Sequence, residues 1–169
     1  MKSLFVAWLL SVLALTAADA PATFKVGDYT FTRPVKWEWV EVTSPMRKAQ
    51  LRVPGKETGA DVIFFFFAPG EGGGKQANVD RWLNQFSDAK DKKVVDAKVG
   101  KNNVTWVSTE GTYSGGMPGQ PRQSLPNYAL VGAIIESSGG NVFVKMAGPT
   151  TVVQQADAEF RSMVQSALK

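Results

Sequence analysis

The chain has 169 residues without cysteine or histidine, and 19 Lys and Arg against 15 Asp and Glu give it a formal charge of +4. These absences exclude disulfides, thiolate nucleophiles, imidazole metal sites and a Ser-His-Asp triad. The basic residues are spread along the chain, which argues against a nucleic-acid-binding surface.

Residues 1–22 have the organisation of a secretory signal peptide. Lys2 supplies the positive charge, and an apolar segment of about 12 residues follows, which is shorter than the ~20 residues that span a membrane. Cleavage is expected near Ala20 or Ala22; a cut after Ala20 would leave Pro21, which lacks an N–H, beside the scissile bond. We therefore expect a periplasmic or secreted protein with one domain over residues 23–169 and no stable membrane anchor after cleavage.

Alternating and apolar runs predict the strands of the first half. They lie at residues 24–26, 29–31, 37–42, 48–53 and 61–68. The last of these has no polar break between residues 62 and 67, which is typical of a strand that is covered on both faces.

The first predicted helix follows a glycine-rich stretch. Val79, Trp82, Leu83 and Phe86 recur with the helical period, and Asn78 suits the N-cap. Further strands are predicted at residues 94–99, 104–113, 128–135 and 142–146, with a glycine- and proline-rich loop at 115–127.

A final helix is predicted after a cap at Thr150 or Thr151. We expect its Phe160 to lie against the sheet and Arg161 to point to solvent. The apolar stripe of this helix consists of Val153, Ala156, Phe160, Val164 and Leu168.

Strands and helices occur in separate blocks, which predicts an α+β protein. Its largely antiparallel sheet should have about seven to eight strands flanked by two helices. Residues 77–86, 132–136 and 143–149 resemble exported bacterial proteins without assigned activity. The element order is similar to the PsbP-like fold, the α-β-α sandwich of the photosystem II extrinsic protein and of a nuclear Ran-binding factor. The resemblance implies a binding or assembly factor and carries over no catalytic or metal-binding residue.

The glycine-rich stretch suggests a weak anion-binding loop made of Gly72, Gly73, Gly74 and Lys75, because glycine amides before a helix can bind anions. It does not match the phosphate-loop motif, since Pro69 and Gln76 replace the required glycine and hydroxyl residue. A plain flexible connection is the alternative.

The loop at 115–127 is a candidate contact surface through Met117, Arg122 and Leu125, with a merely disordered loop as the alternative. Trp37, Trp39, Trp82 and Trp106 could stack on a sugar, but packing in the core is the favoured interpretation.

We interpret the sequence as an exported, non-enzymatic binding or assembly domain without a cofactor, whose partner is an envelope protein or a small ligand. The alternative is a small extracytoplasmic hydrolase or carbohydrate-binding domain that uses carboxylates and exposed tryptophans.

Overall fold

A computed structural model describes residues 20–115 and 123–169. The elements follow the chain in this order: β1 (Thr23–Val26), β2 (Tyr29–Thr32), β3 (Glu38–Trp39), β4 (Arg47–Val53), β5 (Ala60–Phe67), α1 (Gly74–Leu83), β6 (Lys90–Val99), β7 (Asn102–Gly115), β8 (Gln123–Ser137), β9 (Gly140–Pro149) and α2 (Thr150–Ser166). No helix in these two ranges is long and apolar enough to cross a membrane.

Across the described residues, β3 to β9 form one seven-stranded antiparallel sheet in the order β3-β4-β5-β9-β8-β7-β6, and β1 pairs with β2 in a separate hairpin. The strands β5, β9 and β8 occupy the middle of the sheet. The predicted α+β class and the largely antiparallel sheet with two helices are confirmed.

The larger core lies between one face of the sheet, helix α2 and the β1–β2 hairpin. Burying apolar side chains on both layers is the main term that stabilises such a sandwich. The predicted stripe of α2 faces this core, with Phe160 and Val164 fully buried and Val153 nearly so. Helix α1 covers the opposite face through Val79 and Trp82.

The region predicted as a loop at 115–127 differs from that prediction. Residues 123–127 belong to β8, where Leu125 pairs with Tyr113 and Gln123 with Gly115. Pro126, which cannot donate to a strand ladder, lies beside a shift of register near Gly111, and Asn127 has φ 58°. A β-bulge thus accommodates both turn-forming residues inside a strand.

Both predicted helix caps are wrong. Helix α1 begins at Gly74 after Gly73, and Asn78 lies inside it, where its amide donates to the carbonyls of Gly72 and Gly74 at 2.8 and 2.6 Å. Helix α2 begins at Thr150 with Pro149 at the N-cap position and without a side-chain cap. The predicted strand at 37–42 is reduced to two residues of β3.

Three of the four tryptophans in the described residues are buried in the core, as predicted. Trp37, Trp82 and Trp106 are only 2, 4 and 7% exposed. Trp39 is partly buried beside Phe24, and its indole N–H donates to Glu41 at 3.0 Å.

Candidate anion-binding site

Helix α1 covers only part of its side of the sheet. It has 10 residues, against 17 in α2, and its buried side chains pack on Val107, Leu130 and Phe143 of strands β7, β8 and β9. The side chains of Ile63, Phe65 and Phe67 on the same face of β5 are only partly buried. A strip of the sheet beside α1 is therefore only partly covered by the described elements.

Lys145 lies at the edge of this strip. It occupies the middle of β9, between Ile63 of β5 and Gly132 of β8, and is partly buried. Its ammonium donates a hydrogen bond to Oε1 of Gln85 at 3.0 Å and lies 5.7 Å from the centre of the Tyr113 ring. These partners hold the charge but do not neutralise it.

The segment that follows α1 positions these two partners. Ser114 N donates to the carbonyl of Gln85 at 2.6 Å, and Ser87 N donates to the carbonyl of Thr112 at 3.1 Å. This pairing fixes the end of α1 against the end of β7. Tyr113 is held in turn by stacking on Tyr128, with ring centres 5.9 Å apart.

Two arginines add positive charge near Lys145. Burial, and then the charges of Arg81 and Arg47, lower the pKa of Lys145 from 10.5 to about 8. Lys145 is therefore mainly protonated at neutral pH. In residues 20–115 and 123–169, none of these three side chains takes part in a salt bridge.

Each arginine is held by a neutral partner. Arg81 donates to the side-chain oxygen of Asn78, which the two glycine carbonyls fix in turn. Arg47 donates to Oε1 of Gln50 at 2.6 Å. Asp61 lies nearby, but Arg52 contacts it at 3.0 Å and balances its charge. The three cations thus form a site with excess positive charge, which suits a carboxylate or phosphate group.

The predicted anion loop lies at the other end of α1. Its Lys75 is already paired with Asp96 at 3.3 Å and with Glu136 at 3.6 Å, next to an open depression of about 330 Å³. The glycines Gly72, Gly73 and Gly74 all have positive φ and form the turn into the helix. The loop stays a prediction, but its cation already has two carboxylate partners.

Of the three predicted contact residues, only Leu125 lies in the described part of the chain. Met117 and Arg122 lie outside the described residues. Leu125 is partly buried on β8 opposite Tyr113, and so lies next to the candidate site.

The sequence interpretation missed all three cations of the site. Lys145 had a detectable signal, because it is the one charged residue within the apolar strand predicted at 142–146. Arg47 and Arg81 had none, since both belong to ordinary polar positions. Among the described residues there is no group of three acidic side chains that could hold a metal ion.

No family model and no curated protein sequence matches the chain. Solved structures that share its fold include the following two. A protein of unknown function from Pseudomonas aeruginosa, PA94, aligns with a TM-score of 0.52 at 12% identity and covers 87% of this chain and 95% of its own. The solution structure of PsbP (CyanoP) from Synechocystis sp. PCC 6803 aligns with a TM-score of 0.51 at 12% identity and covers 92% of this chain and 96% of its own. The chain therefore has a PsbP-like α+β fold.

Proposed function

We propose that the protein is an exported, non-enzymatic binding domain that holds an anionic group of its ligand at Lys145, with Arg81 and Arg47 beside it. The observation that carries this proposal is a partly buried lysine whose described side-chain partners are an amide and an aromatic ring. A cation that is partly buried without a counter-charge lowers the stability of the fold. An incoming anion would supply that charge.

Binding is favoured over hydrolysis by the state of the carboxylates. A glycosidase-type mechanism needs one carboxyl group with a raised pKa to act as the acid. Asp96 and Glu136 approach each other through Lys75, but the hydrogen bond from Thr105 and the contact with Lys75 lower the pKa of Asp96. Asp96 is therefore held in its charged form and is not suited to donate the proton.

The export part of the proposal depends on the leader at residues 1–22. Intact-mass measurement of the protein from its native envelope fraction should show loss of the chain up to Ala20 or Ala22. The Nε of Arg33 donates to the carbonyl of Pro21 at 3.0 Å, and its backbone N donates to the carbonyl of Ala22 at 2.8 Å. Of the two expected cuts, only the one after Ala20 would keep both acceptors in the mature chain. Recovery of the uncleaved chain from the cytoplasm would contradict export.

The binding part is tested by NMR titration with inorganic phosphate and with acetate. We expect shifts at the amides of Arg81, Gln85, Tyr113 and Lys145, because these residues surround the proposed anion. Lys145→Met should abolish the shifts. Lys98→Met, which removes an exposed lysine from strand β6, should preserve them.

Two results would overturn this assignment. One is a set of shifts confined to the glycine turn at residues 72–74, which would support the predicted anion loop instead. The other is an unchanged titration in the Lys145→Met variant.

A further inference from the structure

The cationic site continues into an apolar strip on β5. Ile63 pairs directly with Lys145, and Phe65 and Phe67 follow on the same face. With a rise of about 3.3 Å per strand residue, the strip runs for roughly 13 Å away from the ammonium. The two phenyl rings stack with their centres 6.5 Å apart and 8° between their planes, so they form a continuous surface.

The glycine turn before α1 closes the far end of the strip. A Cβ added to Gly72 would lie 2.5 Å from the ring of Phe67, so glycine lets the turn contact this ring directly. Phe67 also meets Phe143 edge-on, with ring centres 5.8 Å apart. The apolar surface thus begins at one end beside Lys145 and ends at the glycine turn.

The strip is narrow. Helix α1 lies on one side of it, and the polar side chains of Gln50 and Arg47 on β4 lie on the other, paired across from Ile63 and Phe65. Neighbouring strands are about 4.8 Å apart. A strip one strand wide suits one extended hydrocarbon chain better than a helix or a bilayer surface.

We infer that the ligand is a single-chain amphipathic carboxylate of the fatty-acid type. Its carboxylate binds at Lys145, and its hydrocarbon chain lies along Phe65 and Phe67. This inference rests on the proposed anion site and adds the apolar part of the ligand. Lys145 fixes the orientation, because it lies beside Ile63 at one end of the strip, whereas Arg47 lies along its side next to Phe65.

The inference predicts that affinity increases with chain length. Burial of one methylene contributes ~0.8 kcal/mol, which is about a fourfold gain in affinity. Calorimetric titrations with acetate, hexanoate and decanoate, all below micelle-forming concentrations, should show a rising series. Decanol and decyltrimethylammonium should bind at least tenfold more weakly than decanoate, since the first lacks the charge and the second has the wrong sign.

Two variants separate the head from the tail of the ligand. Phe67→Thr makes the strip polar at the end that lies roughly 13 Å from the ammonium, so it should weaken decanoate several-fold and leave acetate unchanged. Val95→Thr makes the same kind of change at a residue of β6 that is 54% exposed and distant from the strip. It should leave both ligands unaffected.

The outcomes distinguish this inference from the proposed function. Equal affinity for acetate and decanoate would overturn the tail assignment and leave the anion site standing. No binding of any carboxylate or of phosphate would overturn both. Equal binding of all the decyl compounds would remove the role of the cations. Binding to anionic lipid vesicles without binding to free decanoate would overturn the choice of a free single-chain ligand.

Discussion

The indole of Trp82 lies directly against the backbone of Gly132. A Cβ added to this glycine would come within 2.3 Å of Cζ3 of the tryptophan. Gly132 also pairs with Lys145 on the neighbouring strand β9. The contact between Trp82 and Gly132, which packs α1 on the sheet, therefore also brings the end of this helix close to the candidate site.

Gly132→Ala should destabilise the protein by ~1–3 kcal/mol, the usual cost of overpacking a core. This is opposite to the general preference, because alanine is otherwise favoured over glycine inside a strand by ~0.5–1 kcal/mol. Urea unfolding measures the difference. The double variant with Trp82→Leu should show a smaller effect of the alanine, since the side chain that it meets is gone. An alanine variant as stable as the parent would contradict the close contact.

Phe160→Ala should cost ~3–5 kcal/mol, because Phe160 has no exposed surface and its removal leaves a cavity under α2. A domain of this size has only ~5–15 kcal/mol of stability. The neighbouring exposed residue provides the control: Glu159→Ala should change the stability by less than ~0.5 kcal/mol. Equal small losses in urea melts would mean that α2 is not docked as described.

Arg161 contacts neighbouring side chains, so the prediction that it points to solvent is wrong. Its guanidinium lies 4.8 Å from the centre of the Trp106 ring and contacts Asp157 at 2.9 Å. Because a cation–π contact of this kind contributes ~0.5–1 kcal/mol and a helical i,i+4 pair ~0.3–0.5 kcal/mol, Arg161→Ala should cost about 1 kcal/mol. Asp157→Asn should cost only the ~0.3–0.5 kcal/mol that the ion pair with Arg161 contributes. Urea melts in which Arg161→Ala behaves like Glu159→Ala would argue against the Trp106 contact.

The elements that were predictable carry a strong periodic signal. The apolar run of β5 and the stripe of α2 record which faces are buried, so the α+β class and the antiparallel sheet could be predicted. Residues 123–127 and the caps could not, because local turn preferences are overridden there by a neighbouring chain. Pairing with β7 holds Pro126 in a bulge, and Asn78 bonds to the turn before it from inside the helix.

The candidate site was less predictable than the fold. Lys145, Arg81 and Arg47 come from β9, α1 and β4, so their proximity depends on the strand order, which brings β5 and β9 together across a long separation in sequence. The glycine turn was predicted as a site from local sequence alone. What its local sequence could not reveal is that Asp96 and Glu136 on other strands would pair with Lys75.

Lys145 should make the stability of the protein depend on pH. Its pKa is about 8 in the folded chain, against 10.5 for a free lysine. The unfolded chain therefore binds the proton more tightly, and the free energy of unfolding should rise with pH between these two values. The cost of keeping the charged form is present in full below about pH 8 and is relieved as the pH rises. Arg81 and Arg47 face Lys145, and burial raises the pKa of the facing Tyr113.

Lys145→Met should consequently be more stable than the parent protein at neutral pH, although it loses the anion site. Its advantage should shrink as the pH rises through about 8, because the parent then holds a neutral amine. Thermal melts of both proteins in a series of buffers measure this difference. Lys98→Met, at an exposed position of β6, should show no such trend. An advantage that grows with pH, or a less stable Lys145→Met protein at neutral pH, would show that the ammonium contributes to folding. In that case Lys145 would be a structural residue and not one that gives up stability for binding.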